Sequence, residues 1–525
     1  MKRVLWVCIT VIILFMITAN YGKSVEFFGS QELKQYEQHT IIKINNNTDL
    51  INLANEEGWE GSGTPEDPFI IENYTIESHP DQWGIYIGNV SLYLVLRRCE
   101  VFNATNTTSF CGGICIYNST NIVLECLNIS NVSVGIFINY SENISLTNCK
   151  LHDYKPYFYN VTCGIRVENS TNILVRDCVL EHVFIDSAYF PQTDLVGLCV
   201  FDSQKLTLEN TTIEGHLLGG MFEDVYGTGA LFQNISDLRI YNLNCTDDGS
   251  LGLIIKNGYN ITVVNSTFSR CGDGAIINGN LGKIINCVFI YNAWSPEGMV
   301  APTGNGLTIS GNDWFIYSSK FNYNAEDGIK MKGNNISIIY CEFIENGCYD
   351  YNSDIWYGNG IGMQNSNKCS IINNTIKNNE LYGIFLVQCS ENIICNNTIF
   401  KNRDYGIYIK SGTHNIIHHN YFCFNRNSTS TYNPNRTQAY DGGMENIWNT
   451  SGTPHGYGNY WHDWANNNDT NDQNHDGIVD WPYRIDGPAG ARDYYPMKSS
   501  PYTPEFSCYY LILIVIVLCL LFRKD

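Results

Sequence analysis

Positive charge is scarce in this chain: 31 Lys and Arg stand against 52 Asp and Glu in 525 residues, a net charge of −21. No basic stripe exists to neutralise phosphates, so nucleic acid is not an expected partner. A methionine-rich tract is missing, and histidines cluster at only one place, His414, His418 and His419. Copper needs soft or imidazole ligands, so copper is not an expected cofactor. The leucine spacing of a leucine-rich repeat is absent, and no repeat copy is long enough for a strand plus a crossover helix.

What is present is one phrase written about thirteen times between Trp83 and Phe422, a period that signals a solenoid. Each copy opens with glycine and an apolar-x-apolar triplet, as in GIFINYSENISLTNCKL from Gly135 and GIRVENSTNILVRDCVL from Gly164. The inner columns run Ile85, Ile114, Ile136, Ile165 onward and Ile87, Ile116, Ile138, Val167 onward. The residue between them varies from Tyr86 to Arg166 to Lys330 and is expected to point outward. Period-two patterning selects strands, and stacked coils of short strands give an all-β parallel β-helix of about thirteen coils. The glycine-led triplets are expected to form one of three parallel sheets. Length alone suggests several domains, and the repeat overrides that prior.

The expected layout is a signal peptide over 1–23, an N-terminal cap and first strands over 24–82, the β-helix over 83–425 and a C-terminal cap over 426–500. Leu50 to Asn55 reads as a short cap helix. Lys2 and Arg3 before the apolar run Val4 to Ile17 have the layout of a secretory signal. Near the other end, 506–522 reads as a transmembrane anchor and 523–525, with Arg523 and Lys524, as a cytoplasmic tail. This is a single-pass type I arrangement with the ectodomain outside. A GPI signal is the alternative, but its tail normally lacks terminal charges. About two dozen N-x-[ST] sequons, Asn73, Asn143, Asn234 and Asn335 among them, make the exposed ones candidates for glycosylation.

Many of the 20 cysteines fall in one register: Cys99, Leu127, Cys149, Cys178, Thr211, Leu243, Ser266, Cys287, Ser319, Cys341, Asn374, Asn397 and Asn420. A slot that accepts such residues is read as small and buried, with cysteine as a compact hydrophobe and the last three asparagines as a hydrogen-bonded ladder. Cys111, Cys115, Cys163, Cys348 and Cys389 lie outside it and are expected to form disulfides.

Two further stretches flank the coils. Gly61 to Ile76 reads GSGTPEDPFIIENYTI, and beyond the last coil come QAYDGGMENIW (Gln438 to Trp448), GNYWHDW (Gly458 to Trp464), WPYRIDG and RDYYPM. Together with the coils these resemble the NosD-type β-helix family, whose name refers to periplasmic copper binding, and its anchored archaeal surface relatives. The resemblance spans about residues 55 to 497 and implies a right-handed parallel β-helix. It does not fix an activity, because such folds carry unrelated ones.

Three constellations are candidates for chemistry. Asp472, Asn474, Asp476 and Asp480, with Gly477 at the turn and the carbonyl of Ile478, match positions 1, 3, 5, 9, 6 and 7 of a Ca²⁺ loop. Position 12 is Tyr483, so the bidentate ligand would have to be Asp486 or Asp469. Structural Ca²⁺ on the cap is expected, against a plain Asx-turn loop. Asp248, Asp273, Asp327 and Lys330 are the groups a polysaccharide lyase or hydrolase would use. Asp-Gly is also ordinary turn chemistry, and neither the Gly-His-Gly of polygalacturonases nor the Asp-Pro-His-Asp of alginate epimerases is present. The turn reading is preferred. Finally, the insertions 152–163, 181–196, 214–228, 291–305 and 345–359 all fall before an opening glycine and form one edge. They carry Tyr189, Tyr226, Trp294, Trp356 and Tyr357, with carboxylates beside them. Those loops are expected to bind an extracellular glycan or another surface partner. An enzyme on polysaccharide and a metal-handling accessory protein are the alternatives.

Overall fold

The register of the glycine-led triplets builds the molecule. The computed structural model describes residues 36–499 apart from residue 80 and segments 104–109, 154–161, 182–184, 187–194, 216–217, 220–226, 247–250, 294–303, 351–353, 451–455 and 466–471. The signal segment and the 506–522 segment lie outside the described residues. Among the described residues no helix is long and apolar enough to cross a membrane.

Ile114, Ile136, Ile165 and Leu198 are parallel neighbours in successive coils, and Ile116, Ile138, Val167 and Val200 run beside them. The pairing continues through Ile329, Ile361, Ile384 and Ile407 to Ala439. All of these are buried, so each coil covers the apolar columns of the next. Space is what the opening glycines supply: a Cβ at Gly274 would stand 2.5 Å from Gly306 O and 2.7 Å from Asn292 Nδ2.

The closing strands form one parallel sheet of 16 strands, from Glu37–His39 to Tyr460–Trp461. The other two faces, expected as separate sheets, join into one of 25 strands. They fuse where strands turn the corner without a break, as in Leu195–Glu209, Gly227–Tyr241 and Leu251–Val264. Corners, those inside the continuous strands included, are made by residues in the left-handed region, mostly asparagine, such as Asn143 (φ 55°), Asn148 (φ 54°), Asn172 (φ 55°), Asn234 (φ 55°) and Asn257 (φ 56°). Asparagine tolerates that conformation better than most residues, which explains the Asn-Ile and x-x-Asn-x-Ile elements of the repeat.

The first coil is capped by the helix Asn47–Glu57, longer at both ends than expected; Asn46 Oδ1 accepts from Asp49 N–H, and Gly58 closes the helix at φ 71°. Leu50 and Ala54 face the core.

The small-residue slot is buried throughout, Cys99 through Asn420. Its asparagines do form a ladder: Asn374 Nδ2 donates to Asn397 Oδ1 (3.0 Å), Asn397 to Asn420 (2.9 Å) and Asn420 to Asn459 (2.9 Å). A second ladder runs Asn292, Asn324, Asn346, Asn379, Asn402, Asn425 to Gln438. A third runs Asn392, Asn415, Asn446. Along each ladder a side-chain amide donates to the side-chain oxygen of the next coil, while it also donates to a backbone carbonyl of the coil before, as Asn397 does to Ile371, and each chain ends on a carboxylate. Asn459 N–H meets Asp493 (2.7 Å), Gln438 Nε2 meets Asp463 (2.8 Å) and Asn446 Nδ2 meets Asp441 (2.8 Å). Trp461 and Trp448 donate their indole N–H groups to Asp493 and Asp441. Three of the four exit cassettes, QAYDGGMENIW, GNYWHDW and RDYYPM, therefore each supply one terminator.

The disulfide expectation needs correcting. Cys163 pairs with Cys199, whereas Cys111, Cys115, Cys348 and Cys389 are free thiols. Cys115 packs against Val134 and Phe137, and Cys389 lies in the main core; both behave as small hydrophobes.

Candidate functional site

The outward residues of the glycine-led strands form one column on the exterior of the helix. At the N-terminal end that column is covered. Cys115, Phe137 and Cys199 are buried, Trp83 and Phe110 pack on Phe137, and Arg166 lies over Phe110 and Phe201. Further along it opens. Lys330, Gly362, Phe385, Tyr408 and Tyr440 are successive neighbours there.

Phe385, Tyr408 and Tyr440 are half-buried and make an aromatic shelf. Tyr408 stacks on Tyr440 (4.4 Å) and on Tyr382 (4.6 Å), and Tyr382 touches Phe385 (5.4 Å). Tyr405 lies beneath, with Arg426 over its ring at 4.3 Å and its hydroxyl donating to Asp486 (2.8 Å). Arg426 also bonds Asp486 at 3.1 Å. This shelf was not anticipated from sequence, although aromatic residues at the outward position in consecutive copies were there to be read.

Beside the shelf a polar ladder fills the slot before the opening glycines. Asp273 Oδ1 accepts from Asn305 N–H (2.5 Å), and Asn305 Oδ1 accepts from Asp327 N–H (3.2 Å). Asp327 Oδ1 accepts from Asn359 N–H (2.7 Å) and Nδ2 (2.8 Å), and Asn359 Oδ1 accepts from Tyr382 N–H (3.3 Å). The ladder thus runs directly into the shelf. Asp273 and Asp327 lie two coils apart, about 10 Å at the usual strand spacing. Lys330 Nζ donates to Glu326 Oε1 (3.1 Å), while Glu326 Oε2 accepts from Asn305 Nδ2 (3.1 Å); Glu326 escaped the sequence reading. Burial pushes the Asp327 carboxyl up to about 6 and raises Asp273 as well. Burial works against the charge on Lys330, but Glu326, Asp327 and Asp273 outweigh it and hold its pKa above the ordinary value. Asp248 lies outside the described residues.

Among the insertion residues, Tyr189, Tyr226 and Trp294 lie outside the described residues. Trp356 and Tyr357 are half-buried in an antiparallel hairpin, Cys348–Asp350 against Ile355–Tyr357. Arg403 covers the Trp356 ring at 3.6 Å and Tyr349 flanks it at 4.7 Å. One face of Trp356 is therefore already occupied, and the hairpin braces the coil just before Asn359.

The 472–480 loop is folded by its own oxygens. Asp472 accepts from the N–H groups of Asp476 (3.0 Å) and Gly477 (2.9 Å), Asp476 from Ile478 N–H (2.8 Å), and Asp480 from Gln473 N–H (2.9 Å). Asn474 Nδ2 donates to Asp476 Oδ2 at 3.0 Å. The donor set is all oxygen, which suits Ca²⁺. Asp486 is not part of it, being held by Tyr405 and Arg426. Among the described residues no three His, Cys, Asp or Glu side chains converge to hold a metal ion. His418 stacks over Cys395 and lies 2.7 Å from His419 Nδ1 through its own Nδ1; burial pushes its pKa down to about 4.

The model described as "Right handed beta helix region" matches residues 42–216 and 157–316. The chain belongs to the right-handed β-helix family. Residues 296–465 of this β-helix protein also match the family described as "Periplasmic copper-binding protein (NosD)", the resemblance already carried by the exit cassettes. No curated protein matches the sequence. Among solved structures, the β-helix is similar to the Azotobacter vinelandii mannuronan C-5 epimerase AlgE6 A-module at 11% identity and a TM-score of 0.39, over 69% of this chain and 88% of that one. It is similar to pectate lyase Pel9A at 16% and 0.31, over 47% and 67%. It is similar to PfbA, a surface adhesin of Streptococcus pneumoniae, at 11% and 0.30, over 65% and 83%. We attach no functional weight to likenesses at these values.

Proposed function

We propose that this β-helix protein is held at the cell membrane by its 506–522 segment, faces outward, and binds an extended surface glycan along the open part of its exterior column. The observation that carries this is the shelf of Phe385, Tyr408 and Tyr440. Half-buried aromatic edges there adjoin carboxylates and two cations, the combination that takes the apolar face and the hydroxyls of sugar rings together. The Trp356–Tyr357 hairpin flanks the same face and serves as a side wall. Coils about 4.8 Å apart repeat the contact along the axis, which suits a polymer better than a single small molecule. The test is a glycan panel: the wild-type protein binds a subset of oligosaccharides, and Tyr408→Ala and Tyr440→Ala each lose about five- to thirtyfold in affinity, as one lost aromatic contact of about 1–2 kcal/mol predicts. Absence of binding to any glycan contradicts the reading.

A polysaccharide lyase or hydrolase is the second reading, favoured by the Asp327 carboxyl at about 6, a value a general acid or base uses. It requires release of new chain ends from a bound polysaccharide, lost in Asp327→Asn.

A further inference from the structure

Gly362 is the one outward position between Thr308 and Tyr440 that carries no side chain. Its neighbours on either side are Lys330 and Phe385, one coil before and one coil after. Their Cα atoms are thus roughly 10 Å apart, which after side-chain thickness leaves room for one sugar ring. The floor of this notch is the Asp327 carboxylate: a Cβ added at Gly362 would collide with Asp327 Oδ2. Asp327 is only 6% exposed. Both hydrogen bonds from Asn359 go to Oδ1, and Oδ2 has no hydrogen-bond partner among the described residues. That oxygen faces the gap in the column.

We propose that the Gly362 notch is a subsite for one uncharged or amino-substituted pyranose, with Asp327 Oδ2 accepting from its hydroxyl or amino group, Phe385 against its apolar face and Lys330 Nζ at the rim. The assignment rests on the glycan reading above and adds the sugar class. Charge selects that class. Glu326 and Asp327 adjoin the notch, Lys330 at its rim is already bound to Glu326, and the chain carries −21 overall. A carboxylated sugar would meet like charge from these two carboxylates. The sequence reading assigned Asp327 to turn chemistry; the ladder accounts for one of its oxygens and leaves the other to the ligand.

The experiment measures binding of full-length protein to neutral, amino-bearing and carboxylated oligosaccharides, comparing wild type with Asp327→Asn, Gly362→Ala, Lys330→Ala and Tyr408→Ala. Asp327→Asn keeps an oxygen for Asn359 and turns the notch acceptor into a donor. It is expected to lose about tenfold or more for the neutral glycan, with a melting temperature close to wild type. Lys330→Ala, at an exposed position, is expected to weaken binding by a smaller factor without unfolding anything. If Tyr408→Ala loses binding while Asp327→Asn and Gly362→Ala bind like wild type, the subsite is wrong and the glycan reading stands. A preference for carboxylated glycans overturns the sugar class. If wild type binds no glycan, both fail together.

Discussion

Ile138 is buried between Ile116 and Val167 of the adjoining coils. Replacing it with Asp would put an uncompensated carboxylate among stacked apolar side chains, at a cost of roughly 4 kcal/mol or more. Chemical denaturation of the variant checks this, and a loss under about 1 kcal/mol would be inconsistent with a dry column. Asp493 gives a pH signature. Burial pushes it up to about 7, against hydrogen bonds from Asn459 and Trp461 that pull it down. A folded-state value above the unfolded one contributes stability in full below about pH 4 and loses it as pH rises through about 7. Asp463, raised to about 6 by burial, acts with the same sign. His418 and His462, pushed down to about 4 by burial, act with the opposite sign, so the check is the difference between variants: Asp493→Asn should remove the part of the melting-temperature loss between pH 5 and pH 8 that Asp493 supplies.

At the scale of the element, the asparagine ladders and the cap belong together. Asn397→Ala would take the Oδ1 acceptor from both the backbone N–H and the Nδ2 of buried Asn374, while Asn420 Oδ1 keeps the backbone N–H of residue 397. A loss of about 2–5 kcal/mol is expected from two orphaned groups, measurable in the same denaturation series. The 472–480 loop should bind Ca²⁺ and tighten the cap, so added Ca²⁺ should raise the melting temperature and a chelator should reverse it; Asp472→Ala should abolish the response. An identical melt with and without chelator would leave the loop as a self-bonded turn. The small-residue slot and the ladder through Asn420 were legible in the sequence because a solenoid aligns its own repeats. The second ladder was not, since Asn292, Asn324 and Asn346 sit beyond the closing strand, outside the register followed. The terminators Asp441, Asp463 and Asp493 were visible only as parts of motifs. Nothing in one dimension says that a carboxylate meets the last amide of a chain of coils.

Across the whole molecule the coil direction, the core columns and the outward column followed from periodicity, because each coil touches only its neighbours. The fusion of two faces into one sheet did not, because the same left-handed corners occur in the continuous strands, as at Asn234 and Asn257, and in the separate ones, as at Asn148. The candidate site was legible in half. Asp273, Asp327 and Lys330 do lie on one edge, and Asn305 and Asn359 fill the same slot in the alternating coils. The shelf beside them comes from the variable outward residue, which sequence reading treated as solvent-facing filler. Glu326 and Gly362 mattered for reasons of space and pairing that appear only once coils are stacked.

The most direct measurement is a crystal structure of the protein with an oligosaccharide chosen from the binding panel. Sugar density lying along the exterior column from Lys330 across Gly362 to Tyr440 is the result this account predicts. Density on the closing-strand sheet, or only among the segments 187–194 and 220–226 with the Gly362–Tyr440 face bare, would contradict it.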